Sequence, residues 1–311
     1  MLLVATFRRE LSPPWVGFPH VTLLTLNRLP HAQAVTLVNR ITDGKALPAE
    51  VLDQILARTE GVPLFTEELT KAVLESGILR DTDDRYVFAG PLLPLAIPAT
   101  LHDSLMARLD RLAPVKEVAQ IGACIGREFD RELLAAVVSV PGAELDAALD
   151  RLVAAELVFR RGFSPAASYV FKHALVRDAA HESLLKRRRQ ELHARLATSI
   201  EGRFPQLAEA QPEIVARHFG EAGLAEKAIR YCLSAGRLAA ARSANMEAIA
   251  DLRSGLECTQ ALVPGASRSH FQISLRLALG GPLIATRGFA SRSRSCLPTR
   301  TRAQPRVAKR S

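Results

Sequence analysis

The chain has 311 residues, enough for two or three domains, and its 48% hydrophobic but only 5% aromatic content suits a mainly helical protein. Its formal charge of +9 is concentrated in residues 291–311, which hold seven basic side chains and no acid, leaving 34 basic against 32 acidic residues elsewhere. That near neutrality excludes a globular body that binds nucleic acid or membrane through net charge; no apolar run reaches the ~20 residues of a spanning helix or forms a signal-peptide core, so a cytoplasmic protein is expected.

Residues 2–7 form a continuous apolar run, the pattern of a strand buried on both faces of a parallel sheet, and Arg8 follows it. Without further context Arg8 reads as a solvated charge just past a strand. Val21 to Leu26 is a second short apolar segment. Ala34, Leu37, Val38 and Ile41 then have the spacing of an amphipathic helix, with Gly44 after it. Pro48 opens another helix, on which Val51, Leu52, Ile55 and Leu56 share one stripe, and Gly61 stops it. Pro63 starts the next helix through Leu64-Phe65-Thr66-Glu67-Glu68-Leu69. A polar turn at Asp81 to Asp84 precedes Tyr86-Val87-Phe88, and the proline-rich stretch from Gly90 to Pro98 suits neither helix nor central strand. A domain boundary is placed there.

From Thr100 the pattern gives four helices, through Leu101 to Leu112, Val115 to Ile125, Asp130 to Val138 and Ala143 to Ala155. Two strands follow, Leu157 to Arg160 and Tyr169 to Lys172, joined by a Gly-Pro turn. Helices followed by a hairpin make a winged-helix order. Such folds often read DNA, but the helix before the hairpin carries Glu144, Asp146, Asp150 and Glu156 against Arg151, a charge that repels phosphate. The second strand runs into a helix through Lys172-His173-Ala174-Leu175-Val176-Arg177-Asp178, with His173 and Arg177 on one side.

The run Lys186-Arg187-Arg188-Arg189 reads as a solvated helix face with acidic neighbours such as Glu191. Residues 211–262 are Ala-rich helices in which Gly236, Ala248, Leu252 and Gly255 fall at the small and apolar positions of a tetratricopeptide repeat, a unit of about 34 residues. One such repeat, with a weaker pair before it (Glu213 to Gly220, Glu226 to Ala235), cannot bury its own faces, so the array is expected to be unfinished. Ile273 to Leu279 begins a further apolar helix. After Gly288-Phe289 the composition turns to Ser, Arg, Thr and Pro and is expected to be disordered. That tail reads as a basic arm or as a place where coding has left its frame.

The four cysteines, Cys124, Cys232, Cys258 and Cys296, show no CxxC pair and no histidine at zinc-ligand spacing, so no metal site is expected and the thiols read as small buried hydrophobes. No Gly-x4-Gly-Lys-Ser/Thr, HExxH or Gly-x-Ser-x-Gly occurs, so no catalytic residue is assigned.

On Thr6-Phe7-Arg8, Gly61-Val62-Pro63 and above all Lys172-His173-Ala174-Leu175-Val176-Arg177-Asp178, residues 1–289 resemble the signal-transduction ATPases with numerous domains, an AAA-like, NB-ARC-like class. The form Phe-x-His-x-Leu-x-Arg is similar to bacterial members, notably those fused to class III adenylate or guanylate cyclases. Ala174 stands where plant members carry aspartate, and His181 where related chains more often carry tyrosine. The resemblance implies a mainly α chain in four parts. These are the end of a P-loop α/β ATPase domain (1–90), a winged helix (91–185), the start of a tetratricopeptide-like α-solenoid (186–289) and a basic tail (290–311). It implies that ATP or ADP binds the complete module, with Arg8 sensing the γ-phosphate, Pro63 packing on adenine and His173 on the ADP phosphates. The Walker A and B residues are missing, so tight nucleotide binding and hydrolysis are not expected of this chain, which reads as the C-terminal part of a regulatory switch. A core histidine remains the other reading of His173. Protein partners are expected through the repeats, and nucleic acid only non-specifically through the tail. The rival functions are a non-enzymatic repeat scaffold and a winged-helix DNA-binding regulator.

Overall fold

The computed structural model describes residues 2–7, 11, 13–15, 17–89, 98, 100–162 and 167–287. Fourteen α-helices and five short strands are assigned there, so the described chain is mainly α. It divides into two compact units, Met1–Arg108 and Leu109–Ser311. Arg8, the Gly90 to Ile97 stretch, the hairpin turn at 163–166 and the basic tail lie outside the described residues.

In the first unit neither apolar run near the start is in a strand. Leu2, Leu3 and Val4 are exposed, as are Leu23, Leu24 and Leu26. This corrects the expectation of a buried strand at 2–7, and the reason is pairing: a strand exists only through a neighbour's hydrogen bonds, and none of the described strands pairs with either run. The core comes instead from α1 (His31–Ile41), α2 (Ala49–Thr59), α3 (Pro63–Leu74) and the hairpin β1 (Leu79–Asp81) and β2 (Tyr86–Phe88). Val38, Val51, Ile55, Leu69, Val73 and Leu79 form its centre, with Phe65, Tyr86 and Phe88 packed around them. α2 ends on Glu60 in the left-handed conformation, φ 47°. Gly61 follows at φ 72°, and a Cβ on it would stand 2.3 Å from the Leu29 carbonyl oxygen. Only glycine fits that approach.

The helix α4 (Leu101–Arg111) contains the residue that closes this unit. Arg108 is buried, its Nε and terminal nitrogen donate to both Glu75 oxygens at 3.0 and 2.9 Å, and its other nitrogen donates to the buried Glu68. Ser104 donates to the Glu68 carbonyl at 3.2 Å, so α4 is tied to α3 by two of its turns.

The second unit opens with α5 (Ala113–Ile125), β3 (Glu128–Asp130), α6 (Arg131–Val137), α7 (Gly142–Ala154), β4 (Val158–Arg161) and β5 (Ser168–Phe171). The sheet order is β3-β5-β4, antiparallel throughout, with Phe129 opposite Tyr169 and Val158 opposite Phe171. β3 was not foreseen. Its three residues follow Gly126 and carry one inward side chain, Phe129, too short a run for a period-2 pattern to register. Phe129 stacks on Tyr169 at 5.8 Å, and its ring fills the space a Cβ on Gly122 would occupy.

The chain continues through α8 (Ala174–Glu182), α9 (Lys186–Arg203), α10 (Pro205–Ala210), α11 (Pro212–Glu221), α12 (Ala225–Ala241), α13 (Asn245–Cys258) and α14 (Ala266–Arg287). α8 and α9 are separate helices, divided at Ser183–Leu185. α11, α12, α13 and α14 pack on one another in sequence order. Their second core is Ile229, Ile249, Leu252, Leu275, Leu279 and Leu283. Gly236 and Gly255 permit the close approach: a Cβ on Gly236 would lie 2.4 Å from Leu252, and one on Gly255 would lie 2.8 Å from Leu275. No helix among the described residues is long and apolar enough to cross a membrane.

Candidate functional site

His173 is placed by the sheet. Tyr169, Val170 and Phe171 of β5 are buried, and the Lys172 amide donates to the Leu157 carbonyl at 3.0 Å, which fixes the strand's exit. His173 is then the N-cap of α8 with extended backbone (φ −133°, ψ 143°), and its carbonyl accepts the Val176 amide at 3.1 Å. Its side chain does not cap the helix. The Nε2 atom is buried and has no hydrogen-bond partner among the described residues. A buried polar atom without a partner is costly, so the ring is either packed at a price or held ready for a ligand. Arg177, one turn on, engages Asp178, with Nε at 3.0 Å from the carboxylate.

Pro63 is the first residue of α3, where its missing N–H costs nothing. It lies in the first unit and His173 in the second. Arg8 is outside the described residues. The basic run of α9 is partnered: Arg187 pairs with Glu191 at 3.2 Å, and Arg188 with Glu117 at 2.9 Å. Arg189 turns inward and donates to the Leu184 carbonyl at 3.3 Å. A surface groove of about 570 Å³ runs along Arg195, Thr198, Ser199 and Arg203 of α9 and includes neither Pro63 nor His173.

A second constellation lies within the second unit and escaped the sequence reading. Cys124 of α5, His181 of α8 and His193 of α9 bring one donor atom each to within 4.8 Å of one another. His218 of α11 joins them, its Nδ1 lying 2.8 Å from Nδ1 of His193. Cys124 is 3% exposed, His193 3% and His218 0%, while His181 is half-buried. Burial dominates the protonation of all four. It pushes the Cys124 thiol up to about 12, against the pull of Arg189 and Arg217. It lowers His193 to about 4 and His218 to about 3, and it lowers His181 as well, with Arg189 adding to the effect. Neutral imidazoles are what this interior favours. The spacing rule missed the set because its members sit on separate helices that only tertiary packing brings together.

No protein-family model matches the chain. It is 28% identical over 294 residues to the uncharacterized protein R02095 of Rhizobium meliloti (strain 1021), a match that covers 94% of this chain and 28% of that protein. The chain thus spans less than a third of the relative's length.

Proposed function

We propose that this chain is part of a regulatory ATPase of the numerous-domain signalling class, in which a winged helix and a tetratricopeptide-like array respond to ATP or ADP bound by the complete protein. The observation that carries the reading is the order helix, strand, helix, helix, strand, strand from α5 to β5, with sheet order β3-β5-β4, delivering His173 with an unpartnered Nε2 to the start of α8. That order is the one a winged helix requires, and an unpartnered imidazole nitrogen is chemically suited to a phosphate oxygen. His173 is the proposed phosphate contact, Pro63 the proposed adenine contact and Arg8 the proposed γ-phosphate sensor. A longer relative supports the idea of a larger machine. Exposed Ile273, Leu277 and Ile284 on α14 suit a helix of a continuing array.

The test is a full-length protein in which a P-loop segment precedes this region. His173→Ala is expected to weaken the ADP-bound state, since one charge-assisted contact contributes about 1.5–3 kcal/mol. It should therefore cut the ADP-induced rise in Tm and raise output without ligand. A Tm loss of the same size with and without ADP would assign His173 to packing and retire the sensor.

A second reading, a repeat scaffold that binds protein without any nucleotide, draws on the packed series α11 to α14. A DNA-reading winged helix is disfavoured by α7, which carries Glu144, Asp146 and Asp150 against one basic residue of its own, Arg151, although Arg131 and Arg160 pair with Asp146 and Asp150.

A further inference from the structure

We propose that Cys124, His181 and His193 form a binding site for a zinc-class divalent transition ion in the second unit, with His218 as the residue that orients His193. One thiolate and two imidazoles are ligands that zinc takes readily, leaving a fourth position for water or another group. Their donor atoms already lie within 4.8 Å of one another, on α5, α8 and α9, so side-chain adjustment suffices to reach the ~2.0–2.3 Å bonds such an ion makes.

The observation that points independently to a ligand is Nε2 of His193. This residue is 3% exposed, and its Nε2 is buried without a hydrogen-bond partner, while Nδ1 is occupied by His218 at 2.8 Å. A core histidine with one nitrogen satisfied and the other left bare is the arrangement of a metal ligand: the bare nitrogen takes the ion, and the other donates its N–H to a neighbour that fixes tautomer and ring orientation. In that state His193 donates from Nδ1 to Nδ1 of His218, which carries its own proton on Nε2. Arg217 opposes this tautomer, since a guanidinium only donates and its terminal nitrogen lies 3.5 Å from Nε2 of His218, but that contact is at the limit of a hydrogen bond and the same nitrogen is held more closely by the Ile125 carbonyl at 2.7 Å. The T-shaped contact of His181 and His193, 5.8 Å between centroids, places the two rings as neighbours across the site.

Charge around the cluster has both signs. Arg177, Arg189 and Arg217 stand near it, as do Asp178 and Glu221. Metal binding releases the Cys124 proton to solvent and leaves the ion with one thiolate, so one net positive charge is added. Asp178 already pairs with Arg177, so Glu221 is the carboxylate left to offset it.

The test titrates Co²⁺, as a spectroscopic stand-in for zinc, into the whole chain after chelator treatment. Saturation at one equivalent is expected, with a thiolate-to-cobalt charge-transfer band and the strong visible bands of four-coordinate cobalt, both bleached by Zn²⁺. C124S should abolish the charge-transfer band, and H218Q should weaken binding on the order of 10–100-fold, the usual effect of losing an orienting partner. The weak bands of six-coordinate cobalt, or a charge-transfer band that survives in C124S because another thiol supplies it, would overturn the site. If C124S fails to fold, H181N at its half-exposed position decides: unchanged cobalt affinity there rejects the proposal. The outcome is independent of any response to ADP.

Discussion

Arg108 shows how much one side chain can hold. It is buried with Glu68 and is bidentate to Glu75, and although burial opposes its charge, Glu75 and Glu68 raise its pKa above the usual arginine value. Replacing it by methionine would strand the Glu68 carboxylate in an apolar interior. R108M is expected to destabilise the first unit by about 3–5 kcal/mol, measured by urea denaturation. The double variant R108M/E68L should recover much of that loss, because an apolar pair leaves no uncompensated charge. Cys258 offers a second residue-scale forecast. Hydrogen bonding between the Cys232 and Cys258 thiols lowers Cys258 and raises Cys232. Alkylation of Cys258 by iodoacetamide, followed by peptide mapping, should therefore rise with a midpoint below that of an ordinary thiol, ahead of Cys232. Since the thiolate is the nucleophile, C232A should move that midpoint up towards the ordinary ~8.5 of a free thiol.

Helix pairs are where glycine matters as an element property. Gly236 lies inside α12, where alanine would be preferred by up to about 1 kcal/mol on helix propensity alone. Its Cβ, however, would stand 2.4 and 2.7 Å from atoms of Leu252 on α13, and that overpacking costs about 1–3 kcal/mol. G236A is expected to destabilise the α12–α13 pair, seen as a lower urea midpoint. A stabilised variant would show that the two helices separate easily. The same residues were legible beforehand: Gly236, Ala248, Leu252 and Gly255 have a spacing that a helix pair requires, and α12 and α13 do pack through them. The two apolar runs at 2–7 and 21–26 had an equally clear composition, yet they form no strand, because composition cannot supply a pairing partner.

At the scale of the whole chain, no Gly-x4-Gly-Lys-Ser/Thr occurs in the 311 residues. Purified chain is expected not to hydrolyse ATP; turnover above a buffer control in a contaminant-free preparation would overturn that expectation. Binding to duplex DNA, if any, should reside in residues 291–311 and fall steeply with salt, because seven basic side chains act by counterion release. A chain ending at Phe289 that kept a salt-resistant preference for one duplex would contradict the acidic character of α7. The sequence by itself determined the helical class and most helix positions, because helical periodicity is a local property of a chain. Tertiary structure alone decided that Glu68 meets Arg108, that a three-residue strand at Phe129 completes the sheet and that Cys124, His181, His193 and His218 share one interior. Those contacts join residues from separate elements, and their cause is side-chain packing, which no spacing along the chain records.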